Sequence, residues 1–181
     1  MVLVYIKSEC RIKWEEGLLL GFATIVLALA ADQLSKFFID TQVLAEQSSI
    51  IVVSSFFNLI KVWNTGVSFS MFNGYGNAGN IALCVVALII SAVLLYWMWH
   101  ENSKLKIICL GMIIGGALGN VIDRVHFGAV MDFLDFHYKN NHWPAFNLAD
   151  SFICVGAFLL IVLEIYNGKK KGLENAKSNK F

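Results

Sequence analysis

Charge is scarce in this chain. Only 15% of its 181 residues are Asp, Glu, Lys or Arg, 57% are hydrophobic, and the mean hydropathy is +0.65. A soluble domain carries about 25% charged residues. The deficit excludes a disordered chain, a coiled coil and an ordinary soluble domain. A net charge of +1 offers no basic surface for nucleic acid, and no such partner is expected. Proline is nearly missing, with Pro144 the single one, so nothing breaks the long apolar runs. Cysteines are few (Cys10, Cys84, Cys109, Cys154) and lack metal-ligand spacing. Three sit in apolar runs, so buried thiols are expected rather than disulfides or zinc ligands. The histidines (His100, His126, His137, His142) contain no H-x-x-x-H pair, and no G-x-S-x-G elbow accompanies the serines. Neither a metal nor a cofactor is expected, and a serine hydrolase is disfavoured.

What the chain does have is apolar sequence in lengths that cross a hydrocarbon core of ~30 Å, about 20 residues each. Ile81 to Trp99 has no charge and only Ser91 as a polar residue. Gly17 to Ala31 opens another run, continuing through Asp32-Gln-Leu-Ser-Lys36 to Phe38. Leu105 to Ile122 and Leu148 to Tyr166 supply two more. The expected fold is a mainly α membrane protein, a four-transmembrane-helix bundle with spans at 17–38, 81–99, 104–123 and 148–166. It is read as a single integral membrane domain over 1–181, ending in a polar, basic tail at 168–181.

Lysine and arginine set the orientation. With the N-terminus in the cytoplasm, that side holds Lys7, Arg11, Lys13, Lys104, Lys106, Lys169, Lys170, Lys171, Lys177 and Lys180. The outside holds Lys36, Lys61, Arg124 and Lys139. Both termini are therefore expected inside, with Trp14, Tyr96, Trp97, Trp99 and Tyr166 as a cytoplasmic aromatic belt. A competing reading of the first 40 residues is a cleavable signal peptide, because Ala28-Leu-Ala30 follows a basic stretch and an apolar run.

Two segments lie outside. In 39–80, Ile50 to Val53 and Val67 to Phe72 are β-branched or alternating enough to suggest strands, and Asn73 to Gly76 signals a turn. This segment is apolar enough to pack on the membrane surface. In 123–147, Val130 to Phe136 is apolar but interrupted by Asp132 and Asp135, and reads as strand or helix.

Counting along the spans brings Asp32, Asp123 and Asp150 to a similar depth near the outer boundary, on three different helices. Carboxylates in that zone are costly unless paired or wet, which makes them candidate site residues. Lys36, four residues after Asp32, has ion-pair spacing, and Arg124 is the expected partner of Asp123. Asp150 has no basic residue within ten positions and stands at a helix N-terminus, where a capping role would also explain it. Asp132, Asp135 and Asp150 are thus the less compensated acids. Two of them brought close cannot both ionise easily, which suits one as an acid and the other as a base acting on water. Residues alone leave Asp132 and Asp135 comparable as the partner of Asp150. A strand would place these two on opposite faces. Glycines 111, 115 and 119 form a stripe that lets helices approach closely, and Asn120 beside it can orient an acid. A proton-coupled small membrane transporter using boundary carboxylates is the main rival reading, and a non-catalytic assembly subunit using the glycine stripe is another.

Five segments in order carry a resemblance: Asp32-Gln-Leu-Ser-Lys36, Asn64-Thr-Gly-Val-Ser-Phe-Ser70, Gly115-Gly-Ala-Leu-Gly-Asn-Val-Ile-Asp-Arg124, Gly128-Ala-Val-Met-Asp-Phe133 and Phe146-Asn-Leu-Ala-Asp-Ser151. Together they resemble the lipoprotein signal peptidases (signal peptidase II), bacterial membrane aspartyl proteases. Val67-Ser68 and Met131 depart mildly from the family pattern. The resemblance implies four transmembrane helices with a small extracytoplasmic β-rich cradle in the bacterial inner membrane. It implies an endopeptidase that cuts just before the lipidated cysteine of diacylglyceryl-modified prolipoproteins. It selects Asp132 and Asp150 as the catalytic pair and places Asn64 and Arg124 against the substrate. Asp32, Lys36, Gly116, Asn120, Asp123, Asn147 and Ala149 fall on site-supporting positions. It also implies that the first span is retained, that no cofactor is used, and that the partners are the lipidated substrate and membrane lipid. A monomer is expected.

Overall fold

The structure is a computed structural model that describes residues 2–44, 50–66 and 76–178, with side chains for 15–44, 50–66 and 77–169. Helix α1 covers Val2–Phe38 and runs on as a π-helical turn over Ile39–Val43. Strands β1 (Ile51–Ser54) and β2 (Phe57–Asn64) follow, then helices α2 (Gly76–His100) and α3 (Lys104–Phe127). Strands β3 (Val130–Tyr138) and β4 (Asn141–His142) lead into α4 (Leu148–Ser178). Four helical segments are long and apolar enough to cross a membrane: Glu15–Val43, Asn77–His100, Lys104–Phe127 and Leu148–Lys169. They fall on the four expected spans. The first and third run further toward the sheet than expected, because a helix need not stop where its apolar stretch does. Helical structure also continues through the N-terminal arm and into the polar tail.

Helix α3 is the hub, packing against α1, α2 and α4. Its small residues explain why. A methyl added at Gly115 would sit 2.7 Å from the Ile25 carbonyl of α1, and one at Gly116 would sit 2.5 Å from the Ala149 carbonyl of α4. Glycine there lets backbones approach to distances that any side chain forbids. Ile25, Met98, Ile107, Leu110, Ile114 and Leu160 fill the body of the bundle. Cys109 is buried, but Cys84 is half-buried and Cys154 is exposed on the bundle surface. The expectation of buried thiols therefore holds for Cys109 and is corrected for Cys154. An apolar residue of a membrane helix can satisfy itself against lipid instead of protein.

The strands form an antiparallel sheet in the order β1-β2-β3-β4 at one end of the bundle. Ile51 to Ser54 forms the strand expected from its β-branched run. Val130 to Phe136 resolves as strand, inside β3. β2 was not marked by any alternation. The suggested strand at Val67 to Phe72 lies outside the described residues, as does the turn after it except for Gly76, which opens α2. Gly128 ends α3 with a left-handed φ of 72° and its N–H bonded to the Arg124 carbonyl at 3.0 Å. That turn aims the chain straight into β3. A second core of Ile39, Leu44, Met131 and Phe133 seats the sheet on the helix ends.

Candidate active site

Asp132 projects from β3 and is 2% exposed. Its Oδ1 accepts from Asn147 Nδ2 at 2.7 Å and its Oδ2 from Asn64 Nδ2 at 3.0 Å. Asp150 is the third residue of α4, and its Oδ1 accepts from Asn120 Nδ2 at 2.8 Å. Asn147 caps α4: its Oδ1 accepts the Asp150 N–H at 3.0 Å, while Asp150 Oδ2 accepts the Asn147 N–H at 3.3 Å. This is a reciprocal capping box. The capping role foreseen for Asp150 is thus present, and Asn147 shares it. Asn147 is fully buried and holds both acids at once, Asp132 through its side chain and Asp150 through its backbone.

Both carboxyls line one cavity of about 290 Å³ with Asn64, Gly66 and Arg124. Its other walls are apolar, from Val86 and Ile90 of α2, Ile113 of α3 and Ile153 of α4. Burial and the neighbouring Asp150 charge push the Asp132 carboxyl up to about 7, against the opposing pull of Asn64 and Asn147. An acid near neutrality in a cleft is suited to proton transfer.

Arg124 stands differently from expectation. Rather than pairing with Asp123, it donates to the Gly66 carbonyl at 2.9 Å and lines the cavity. Asp123 pairs instead with Lys36 at 2.8 Å, and Lys36 also meets Asp32 at 2.8 Å. Adjacent helical residues point about 100° apart, so Asp123 and Arg124 serve different faces of α3. The Arg124 Nε is buried without a partner among the described residues. Asn64 also lines the cavity, but its amide is engaged: its Nδ2 goes to Asp132 and its Oδ1 accepts the Gly66 N–H at 3.0 Å.

The remaining supporting residues converge behind the pair. Asp32 Oδ1 accepts the Ala149 N–H at 2.9 Å, fixing the first turn of α4 to α1. Asn120 Oδ1 lies 3.4 Å from Lys36 Nζ, so Asn120 stands between the Lys36 cluster and Asp150. Gly116 lets Ala149 close on α3. Gln33 joins the cluster unforeseen, donating to Asp123 Oδ1 at 2.9 Å and Asp32 Oδ2 at 3.1 Å. Its position beside Asp32 at the polar end of a span was the available signal. Asp135 is not part of the site. It lies elsewhere on the sheet with His142 and Asn58. Among the described residues, no group of three or more His, Cys, Asp or Glu is placed to hold a metal ion.

Over most of its length the chain is similar to known membrane enzymes. A lipoprotein signal peptidase of Paraburkholderia phytofirmans is 48% identical over 149 residues, 81% of this chain and 83% of that protein. One from Anaplasma phagocytophilum is 40% identical over 147 residues, 81% of this chain and 92% of that protein. A solved structure described as a bacterial membrane enzyme at 2.3 Å resolution superposes with a TM-score of 0.73 at 26% identity, covering 83% of this chain and 90% of that one. The sequence model described as Signal peptidase (SPase) II matches residues 24–166, which take in the second and third spans whole, most of the first and fourth, the described strands and both cavity acids, and on that ground the chain belongs to the signal peptidase II family.

Proposed function

We propose that Asp132 and Asp150 are the catalytic pair with which this multi-pass bacterial inner membrane protein, an aspartic endopeptidase, removes signal peptides from prolipoproteins. The observation that carries the assignment is the shared cavity in which two acids are held by one asparagine with, among the described residues, no cation between them. Asp132, buried and served only by neutral amide donors and distant charge, holds the shared proton at rest. Asp150 sits in the first turn of α4 and lines the same cavity as Arg124. Asp150 takes a proton from water as that water attacks the scissile carbonyl, and Asp132 gives its proton to the carbonyl oxygen. The resulting diol collapses when the amine leaves with a proton from the pair.

The substrate is an apolar helix whose cut site must unwind next to a lipid-bearing cysteine. A cleft whose lower walls are Val86, Ile90 and Ile153 and whose upper end is polar fits that chemistry. Arg124, with its unspent Nε, holds an extended substrate carbonyl. Asn64 fixes Asp132 and reaches the same backbone, so positioning supplies part of the rate. The excess of Lys and Arg on one side of the spans supports a reading with both termini in the cytoplasm and the site at the outer boundary. The site is complete within one chain, which suits a monomer whose partners are the lipidated substrate and surrounding lipid.

The test is direct. Incubating the purified protein with a diacylglyceryl-modified prolipoprotein is expected to release the signal peptide, seen as a mass loss ending just before the modified cysteine. Cleavage elsewhere, or equal cleavage of the unlipidated precursor, would overturn the proposed specificity. Flux through liposomes without proteolysis would revive transport.

A further inference from the structure

Asp135 is 3% exposed on β3, three residues from Asp132, and the reading above gives it no task. It is nevertheless held by side chains from both neighbouring strands. Asn58 of β2 donates to its Oδ2 at 2.8 Å. His142 of β4 places Nδ1 at 2.8 Å from Oδ1 and 3.0 Å from Oδ2. A carboxylate can only accept, so the Nδ1 carries the proton. The ring of His137 stacks on His142 at 4.9 Å. Burial pushes the Asp135 carboxyl up, but His142 and Asn58, with His137 nearby, hold it below its ordinary value. The clasp is therefore closed above the ordinary carboxylate range and opens only as the pH falls through that lowered value.

Its place in the ladder gives the clasp a use. After the turn at Lys139, whose φ is 54°, the chain returns beside β3. His137 faces His142, and Trp143 N–H bonds the Phe136 carbonyl at 2.8 Å. Phe146 then pairs with Leu134 through bonds of 2.9 and 3.1 Å. Two residues, Pro144 and Ala145, thus stand opposite the single residue Asp135. This is a bulge, and Pro144 has no N–H to contribute to it. The ladder is interrupted at the level where Asp135 reaches across to His142, and one residue beyond its resumption stands Asn147. We infer that the Asn58–Asp135–His142 clasp is a positioning device: it spans the bulge, fixes the returning strand, and so sets where Asn147 holds Asp132 and Asp150.

This inference rests on the reading of Asp132 and Asp150 as the catalytic pair, and the experiment separates the two. The groups facing Asp132 are Asp150, Arg124, Lys36, Asn64 and Asn147, and those facing Asp135 are Asn58, His137 and His142. Cleavage of a lipidated prolipoprotein is followed against pH for the full-length enzyme, His142→Phe, His142→Asn and Asp132→Asn. Phe keeps a ring to stack but cannot donate, whereas the Asn amide takes the place of Nδ1–H. His142→Phe is expected to lower kcat about tenfold with KM nearly unchanged. The alkaline midpoint of its kcat profile should move upward, because a loosened Asn147 stabilises the Asp132 anion less. His142→Asn should restore most of the rate and the midpoint. Wild-type kcat and midpoint in His142→Phe, with Asp132→Asn inactive, would overturn the clasp and leave the pair standing. Equal damage from Phe and Asn, or a loss confined to KM, would also overturn it. An active Asp132→Asn would remove the pair itself. Should His142→Phe not accumulate, Asn58→Leu, which deletes the other donor, is read in the same way.

Discussion

Two pairs of carboxylates lie at the sheet end of this bundle, and they are built in opposite ways. Asp32 and Asp123 sandwich the Lys36 ammonium, each at 2.8 Å; the Ala149 N–H fills the other oxygen of Asp32 and Gln33 that of Asp123, while the Met131 N–H joins Lys36 on Asp123 Oδ2. Asp132 and Asp150 have no cation between them, share Asn147, and face a cavity. The first pair is compensated charge, which joins α1, α3, α4 and β3 into one unit. The second has no lysine between its members, and on the proposed reading it keeps a proton. Where the offset is a lysine the result is structure, and where it is the proposed shared proton the result would be an acid and a base.

The comparison breaks most sharply at the second pair. Asp132→Asn and Asp150→Asn should each cut prolipoprotein processing by about a thousandfold or more while the protein still inserts in the membrane. Near-normal cleavage by either variant ends the distinction. At the first pair, Lys36→Met strands two buried acids and should cost about 3–5 kcal/mol of stability. Thermal unfolding in detergent measures this, and a variant as stable as the parent would show the cluster is not the frame. A pH effect of smaller size follows from the raised Asp132 carboxyl. Below the ordinary carboxylate range the group is protonated in folded and unfolded chains alike, and the stability it contributes is present. That stability is lost as the pH rises through about 7, where the folded protein must hold a buried charge. Asp132→Asn should therefore melt above the parent at about pH 8 and near it in acid, the reverse of what Lys36→Met does. The same titration predicts that kcat falls as the pH rises through about 7. The smallest expected effect is none at all: EDTA should leave processing unchanged, and loss followed by rescue with zinc would favour a metalloprotease.

The two pairs also differ in how legible they were. Asp32 and Lys36 are four residues apart on one helix, so their contact could be read from spacing, and the depth of Asp32, Asp123 and Asp150 followed from span lengths. The partner of Asp123 was misread as Arg124, because neighbours in sequence point to different faces of a helix and Lys36 approaches from another span. The choice between Asp132 and Asp135 stayed open to residue-level reasoning and was made by the resemblance. In space the two acids part because β3 alternates its side chains, sending Asp132 toward the helices and Asp135 to His142.

Local chemistry therefore determined this protein's class, its four spans and the acids worth watching, since hydropathy, helix period and charge asymmetry act over a few turns of chain. The tertiary structure alone decided that Asp123 meets Lys36 rather than Arg124, and that one asparagine holds both Asp132 and Asp150. Those meetings depend on the glycine contacts of α3 and on the cap at Asn147, which bring groups from distant parts of the chain within 3 Å of their partners. No spacing rule reaches that far, because desolvation and pairing are properties of the assembled site.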